Sequence, residues 1–569
     1  MTELKDHELK VVPPAMLLTA AGLVFLAAIV YRAFYFMELS GPVCYELEAA
    51  SRLRAGQIPF YDFYFDQSLL NAYLRLPTVI LARLFGDLAH SDEILVVTPY
   101  WASALASYIT TTIVALLSFS LCCYITLKSS LSEKNLRLLA AVLVGIGLAN
   151  FATGFVFGCA QHIFCLFFTP YLFLRASIWS GGKPALPLHI ICGLLAGLGA
   201  GLNPLFLSLP LFIEVAELVA AGFQKRKPAV EFFVLLVTFV LSWTWIFLLN
   251  SDSISQLDDW IVPLKFASLH LDQIAFYGYG SSPDRRSVIY LCTAVMVACF
   301  GLVGRAQVLR PLATAMMCGF FIFLATMTGV SSELLILIWF ISLTLPVLAV
   351  LFIDGSLVTN FARRYPHLSY RERRVNRVKT FLFALFCLSS LAVVTFCETM
   401  ERRENIAVAV GPQATDPYLL DLEAAVLKYS KPQEKILILN GRLLPTFPLY
   451  AQVNRPICGY YLSSEPLSTV ASIEGHALTD QSLGKPFAWL ARVKAKLYIR
   501  IGAEIQIQKP ALILVEGGQT WDNLKEMGIL PFILKDYKSE GEARYHSSCS
   551  GTREFADWNY RYNILKRIK

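Results

Sequence analysis

Residues 15–37 read AMLLTAAGLVFLAAIVYRAFYFM, and residues 99–127 read PYWASALASYITTTIVALLSFSLCCYITL. Each is an apolar run longer than the roughly 20 residues an α-helix needs to cross the hydrocarbon of a bilayer. Composition agrees with that reading. Hydrophobic residues fill 56% of the 569 positions and charged residues only 16%, against about 25% charged in soluble domains. The first run is too long for a cleavable signal peptide and has no small-residue cleavage site before the polar stretch, so it reads as a retained helix.

The same pattern recurs along the chain and predicts spans at 16–37, 99–126, 137–150, 157–178, 188–202, 205–221, 231–249, 287–304, 311–330, 333–353 and 379–397. The fold class expected is therefore mainly α: a polytopic membrane helix bundle of about eleven transmembrane helices. The stretch 188–221 is too long for one span, and Pro204 lacks the donor that an unbroken helix needs. A turn at Asn203-Pro204 gives two short helices, and one long kinked helix is the alternative. From about residue 398 short strand-like runs alternate with polar segments, which predicts a small water-soluble C-terminal α/β domain over 398–569 after a membrane domain over 1–397.

Lys and Arg accumulate in cytoplasmic loops. With the N-terminus inside and a turn at Asn203, the inside loops hold Lys128, Lys134, Arg137, Arg175, Lys183, Lys225, Arg226, Lys227, Arg305 and Arg310, and the dense basic run over 363–379. Topology accounts for that run better than a headgroup or partner site does. The loops 38–98 and 250–286 and the C-terminal domain then face away from the cytoplasm. The net charge of +7 is spent on this asymmetry, and nucleic acid is not an expected partner. Most of the thirteen cysteines lie in apolar runs, where Cys acts as a small hydrophobe. Cys458 and Cys549 share the soluble domain and can pair if it faces an oxidising compartment.

The stretch most suited to chemistry is 41–77, GPVCYELEAASRLRAGQIPFYDFYFDQSLLNAYLRLP. Glu46, Glu48, Asp62 and Asp66 set four carboxylates beside a membrane, where charge is costly unless solvated, paired or used. Glu48 and Arg52 are spaced i, i+4, so a helix over 45–55 neutralises Glu48 on its own face. Gly56 ends that helix, and the aromatic run Phe60, Tyr61, Phe63, Tyr64, Phe65 suits an interfacial segment at headgroup level. Asp62 and Asp66 within it can act as a general base, bind a divalent cation such as Mg or Mn, or orient a sugar hydroxyl. They can equally be the solvated side of an interfacial segment.

Several motifs, in order, resemble the GT-C membrane glycosyltransferases, in the bacterial branch related to aminoarabinose transferase and protein O-mannosyltransferases. They are Ala55-Gly56-Gln57-Ile58-Pro59-Phe60-Tyr61-Asp62 with Asp66 beyond, Gln161-His162-Ile163-Phe164 through Thr169-Pro170-Tyr171-Leu172, and Gly201-Leu202-Asn203-Pro204 followed by Glu214. In the C-terminal domain they are a strand at 435–440, then 448–450, Asn454-Arg455-Pro456, and Lys509-Pro510 before a strand at 511–516. The resemblance implies a bacterial inner-membrane enzyme that moves a sugar from a polyprenyl-phosphate donor to a glycolipid, glycan or protein acceptor outside the cytoplasm, with inversion and no certain cofactor. Family members carry an aspartate, assigned as base, where this chain has Pro42. Glu46 or Glu48 can take that role, with Glu46 first because Arg52 occupies Glu48. Otherwise the base has moved to Asp62 or Asp66, or activity is lost. Lys265, Arg285 and Arg286 are candidates to hold the phosphate, or else anchor a helix start. His162 and Gln161 can contact donor or acceptor, or join helix to helix. Two other classes stay open: a lipid-linked sugar flippase or transporter, and a non-catalytic envelope assembly protein.

Overall fold

The computed structural model describes residues 13–34, 36–37, 39–65, 67–89, 98–153, 156–220, 229–244, 307–326, 331–353, 420–440, 446–460, 466, 470, 488–526, 528–546 and 559–568. The predicted spans 287–304 and 379–397, with Asp66, Lys265, Arg285, Arg286 and Cys549, lie outside them.

The described chain is mainly helical. In order it forms α1 (Pro14–Ala33), α2 (Gly41–Arg54), α3 (Leu69–Ala89), α4 (Tyr100–Lys128), α5 (Glu133–Phe151), α6 (Ala160–Trp179), α7 (Leu186–Leu202), α8 (Ser208–Ala220), α9 (Val230–Trp243), α10 (Leu309–Thr326) and α11 (Ser331–Ile353). There follow α12 (Leu420–Tyr429), β1 (Ile436–Leu439), α13 (Thr446–Val453), α14 (Ala488–Gln508), β2 (Leu512–Glu516), α15 (Gln519–Glu526), α16 (Ile529–Asp536), β3 (Tyr537–His546) and β4 (Asn559–Arg567). Packing divides the described residues into two units. One draws on 1–35, 111–243 and 283–399, the other on 36–110, 244–282 and 400–569.

In the first unit α1 packs on α5, α5 on α11, α6 on α7 and α7 on α9. The helices are apolar outside as well as inside: α1 buries Ala21, Phe25, Ala28 and Ile29 yet exposes Leu23, Leu26 and Val30, and α9 exposes Phe233, Val240 and Leu241. Helices apolar all round belong in hydrocarbon. Among the described residues four are long and apolar enough to cross a bilayer, namely α1, α4, α5 and α6, which marks the chain as a membrane protein. Close approach of α7 to α9 relies on Gly193 and Gly197, where a Cβ would meet the backbone oxygens of Glu231 and Leu235 at 2.5 and 2.7 Å. Small residues four apart are the usual means of bringing two membrane helices this close.

The chain breaks at Asn203, which is extended (φ −149°) and accepts the Leu205 N–H on its side chain before a 3-10 turn over Pro204–Leu207. The break is a reversal. α7 starts beside Glu231, to which His189 is bonded, and runs about 20 Å before it ends, at 1.5 Å per residue. α8 then brings Glu214 and Glu217 back to Arg175, which is itself bonded to Glu231. Two helices, not one kinked rod, account for both contacts.

In the second unit, α2 packs on α3 and on α13. α2 begins earlier than 45 because Pro42 sits in its first turn, where the missing N–H costs nothing. Gly56, at φ +80°, ends it as expected. The sheet has the order β1-β2-β4-β3, with β1 and β2 parallel and the other pairs antiparallel. The predicted strands at 435–440 and 511–516 are β1 and β2, both uninterrupted apolar runs and almost wholly buried, as strands covered on two faces are. Cys458 beside them is a buried free thiol, pushed up to about 12 by that burial.

Candidate functional site

α2 carries Glu46 inward, 2% exposed, toward Arg75 of α3. Arg75 donates from Nε and Nη2 to one carboxylate oxygen, Oε2, at 2.9 and 2.7 Å. The other oxygen, Oε1, is as deeply buried and accepts no hydrogen bond among the described residues. One turn before Arg75 on α3 lies Asn71, whose Nδ2 donates to Gln67 Oε1 at 3.3 Å and whose buried Oδ1 likewise accepts none. Burial pushes the Glu46 carboxyl above the usual glutamate range, and the Arg75 guanidinium offsets only part of that. Cys44, one position off that face, is pushed up to about 12 by burial, so it holds its proton and is no nucleophile. The geometry supplies a fixed, dehydrated carboxyl with one oxygen bonded to Arg75 and the other unbonded among the described residues.

The other sequence candidates occupy different settings. Glu48 accepts the Arg52 Nε proton at 3.0 Å, the i, i+4 pair expected. Arg52 goes further: its Nη1 donates to the Gly459 carbonyl at 3.1 Å and its guanidinium lies over the Phe63 ring. Glu48 is thus part of a clamp between α2 and the segment after α13. Asp62 is exposed and folds its own loop, accepting the Ile58 N–H on Oδ2 at 2.7 Å. The aromatic run is not an interfacial surface. Phe60, Phe63, Tyr64 and Phe65 are buried and only Tyr61 stands out, because the run is stitched to the far end of the sequence: Tyr64 N–H donates to the Tyr460 carbonyl and Tyr460 OH to the Phe60 carbonyl, both at 2.8 Å. Phe60 is held at φ +63° by these bonds and by its own N–H to Phe63.

His162 and Gln161 belong to the other unit, on the first turn of α6. His162 is wholly buried between the rings of Phe157 and Trp339. Its Nδ1 accepts the Gly158 N–H at 3.0 Å, which leaves the neutral ring's proton on Nε2. It serves the start of its own helix. Arg175, expected in a cytoplasmic loop, is instead buried near the end of α6, where its guanidinium meets Glu214 and Glu217 of α8 and Glu231 of α9. Tyr171 OH donates to Glu214 and His189 shares a proton with Glu231. A guanidinium buried among three carboxylates ties α6 to α8 and α9.

Among the described residues no group of three or more His, Cys, Asp or Glu side chains is arranged to hold a metal ion. No protein-family model matches the chain, and no curated protein matches it either.

Proposed function

We propose that the protein is a membrane glycosyltransferase that moves a sugar from a polyprenyl-phosphate donor to an envelope acceptor, with Glu46 as general base. The reading is carried by one observation: a buried carboxylate on the first helix after α1, fixed by Arg75 through one oxygen and with its other oxygen unbonded among the described residues. In the step the acceptor hydroxyl attacks the anomeric carbon, its proton passes to Glu46, and the bond to the phosphate oxygen breaks with its electrons leaving on the phosphate, inverting the sugar carbon. A carboxyl raised by burial suits this role, because a base works best when its pKa approaches the working pH. Lys265, Arg285 and Arg286 would neutralise the departing phosphate.

The same reading takes the chain as a bundle of about eleven spans in a bacterial inner membrane, N-terminus cytoplasmic, with an extracytoplasmic C-terminal α/β domain. It is tested with purified protein, a labelled polyprenyl-phosphate sugar and extracted envelope glycolipids. Transfer by the native chain and its loss in Glu46→Gln, with Asp62→Asn active, is the expected result. Equal transfer by both variants would remove Glu46, and no transfer by the native chain would remove the activity. A second reading, movement of a lipid-linked sugar, draws on the buried Arg175 cluster, since charges within membrane helices line transport pathways. Carrier movement in proteoliposomes without sugar transfer would favour it.

A further inference from the structure

Glu46 and Asn71 are almost wholly buried, at 2% and 5% exposure, and each holds an oxygen that accepts no hydrogen bond among the described residues, Oε1 and Oδ1. A buried acceptor without a donor destabilises the fold, and native proteins seldom keep one without a use. These two lie along one seam, where α2 packs on α3. Asn71 and Arg75 are four apart on the same face of α3, about 5–6 Å from one another at Cβ. Side chains of a helix lean toward its N-terminus, so Arg75 crosses back over the turn that carries Asn71 to reach Glu46. The chain has little to offer the two oxygens locally. The neighbours of Glu46 on its own helical face, Pro42, Val43, Ala49 and Ala50, have no side-chain donor. Arg75 commits Nε and Nη2 to the other Glu46 oxygen, and the Asn71 amide nitrogen is turned to Gln67.

We infer that Glu46 and Asn71 bind two hydroxyls of one saccharide, and that Asn71 is a specificity-determining residue of this site. Both oxygens are acceptors, so the ligand brings at least two donors, which a simple alcohol lacks. The donors are neutral: the Glu46–Arg75 pair carries no net charge, and a second cation beside the guanidinium would be repelled. They are hydroxyls rather than peptide N–H groups, because each peptide unit also brings a carbonyl acceptor into a seam already short of donors. The inference rests on the reading of Glu46 as base, and within that reading it takes a glycolipid or glycan as the acceptor in place of a protein. One hydroxyl reacts at Glu46 while another of the same sugar is held by Asn71.

The test uses the full chain in nanodiscs with two probes, a photoreactive octyl glucoside and a photoreactive peptide amide carrying Ser and Thr. Labelling reads binding without a donor, and a labelled polyprenyl-phosphate sugar reads transfer onto each probe. The native chain is expected to be labelled by the glucoside and to use it in preference to the peptide. Asn71→Leu keeps the bulk and removes the acceptor. It is expected to lower labelling and raise the KM for the glucoside about three- to tenfold, the loss of one hydrogen bond, with kcat nearly unchanged. Asn71→Ala is the second variant, and unchanged thermal unfolding shows that each still folds. Labelling and KM unaffected in both would mean that water serves the two oxygens, and would overturn the inference while transfer by the native chain left the transferase reading standing. Preference for the peptide, or equal use of the two probes, would overturn the choice of a saccharide. Labelling that falls in both variants, with no transfer by the native chain, would keep the saccharide site and remove the transferase reading.

Discussion

Arg75 spends two donors on a single oxygen of Glu46, at 2.9 and 2.7 Å, and leaves the second oxygen of that buried carboxylate for another donor. A purely structural ion pair would gain more from a two-oxygen fork. If Glu46 is the base, it must be ionised to act, and burial holds its pKa above 4.5. Transfer therefore rises with pH along a limb whose midpoint lies above that of an ordinary glutamate. Glu46→Gln lowers the rate by about 10²–10⁴-fold, the usual share of a general base, and abolishes the limb. A pH–rate profile of both proteins decides it, and a limb that persists in Glu46→Gln belongs to another group.

Arg75 is a positioning residue, and its loss differs from that of Glu46. Arg75→Met strands a buried carboxylate, at a cost of about 3–5 kcal/mol in the folded state. Glu46→Met combined with Arg75→Met removes the stranded carboxylate and recovers its share of that loss while leaving transfer abolished. Thermal unfolding in detergent separates the two variants. Equal melting temperatures would mean that the pair does not hold α2 to α3.

Local signals carried the sequence reading a fixed distance. The i, i+4 spacing of Glu48 and Arg52 and the left-handed Gly56 are properties of a few neighbouring residues, and α2 ends where they put it. Pro42 reads as a family departure in the sequence and as an ordinary first-turn residue in the helix. What stayed hidden is pairing at a distance. Glu46 finds Arg75 across two helices, and nothing in the spacing of either names the other. The one available signal was an arginine inside the apolar run LLNAYLRLPTVILA, where an unpaired charge is too costly to stand. The aromatic run reads as interfacial only while Tyr460 is out of view. Once that residue covers it, the run is core. Arg175 reads as a loop residue because composition cannot tell a charge near the end of a helix from one beyond it.

The loop over 57–65 is held in place by residues hundreds of positions away, so its weakest bond is predictable. Tyr460→Phe keeps the ring and deletes the hydrogen bond to the Phe60 carbonyl. That bond is worth about 0.5–1.5 kcal/mol, and it helps hold Phe60 in a backbone region that costs about 1–3 kcal/mol. The variant is expected to fold with nearly native stability and to be cut faster by protease within 57–65. Unchanged cleavage would show that Arg52, through the Gly459 carbonyl, suffices to pin the loop.

Among the described residues the Arg175 cluster holds more carboxylates than cations. Three carboxylates, Glu214, Glu217 and Glu231, face one guanidinium and the His189 imidazole. The three are not equivalent. Glu231 spans Arg175 and His189 with separate oxygens, and Glu214 takes a further proton from Tyr171, so neutralising either breaks bonds to two partners. Glu217 shares the Arg175 Nη2 with Glu214. Glu231→Gln is expected to lower the melting temperature of the detergent-solubilised protein, and Arg175→Met, which strands all three carboxylates, lowers it most, because a broken buried pair costs several kcal/mol of stability. An unchanged melting temperature in Glu231→Gln would mean that its bonds to Arg175 and His189 do not hold α9 to α6 and α7.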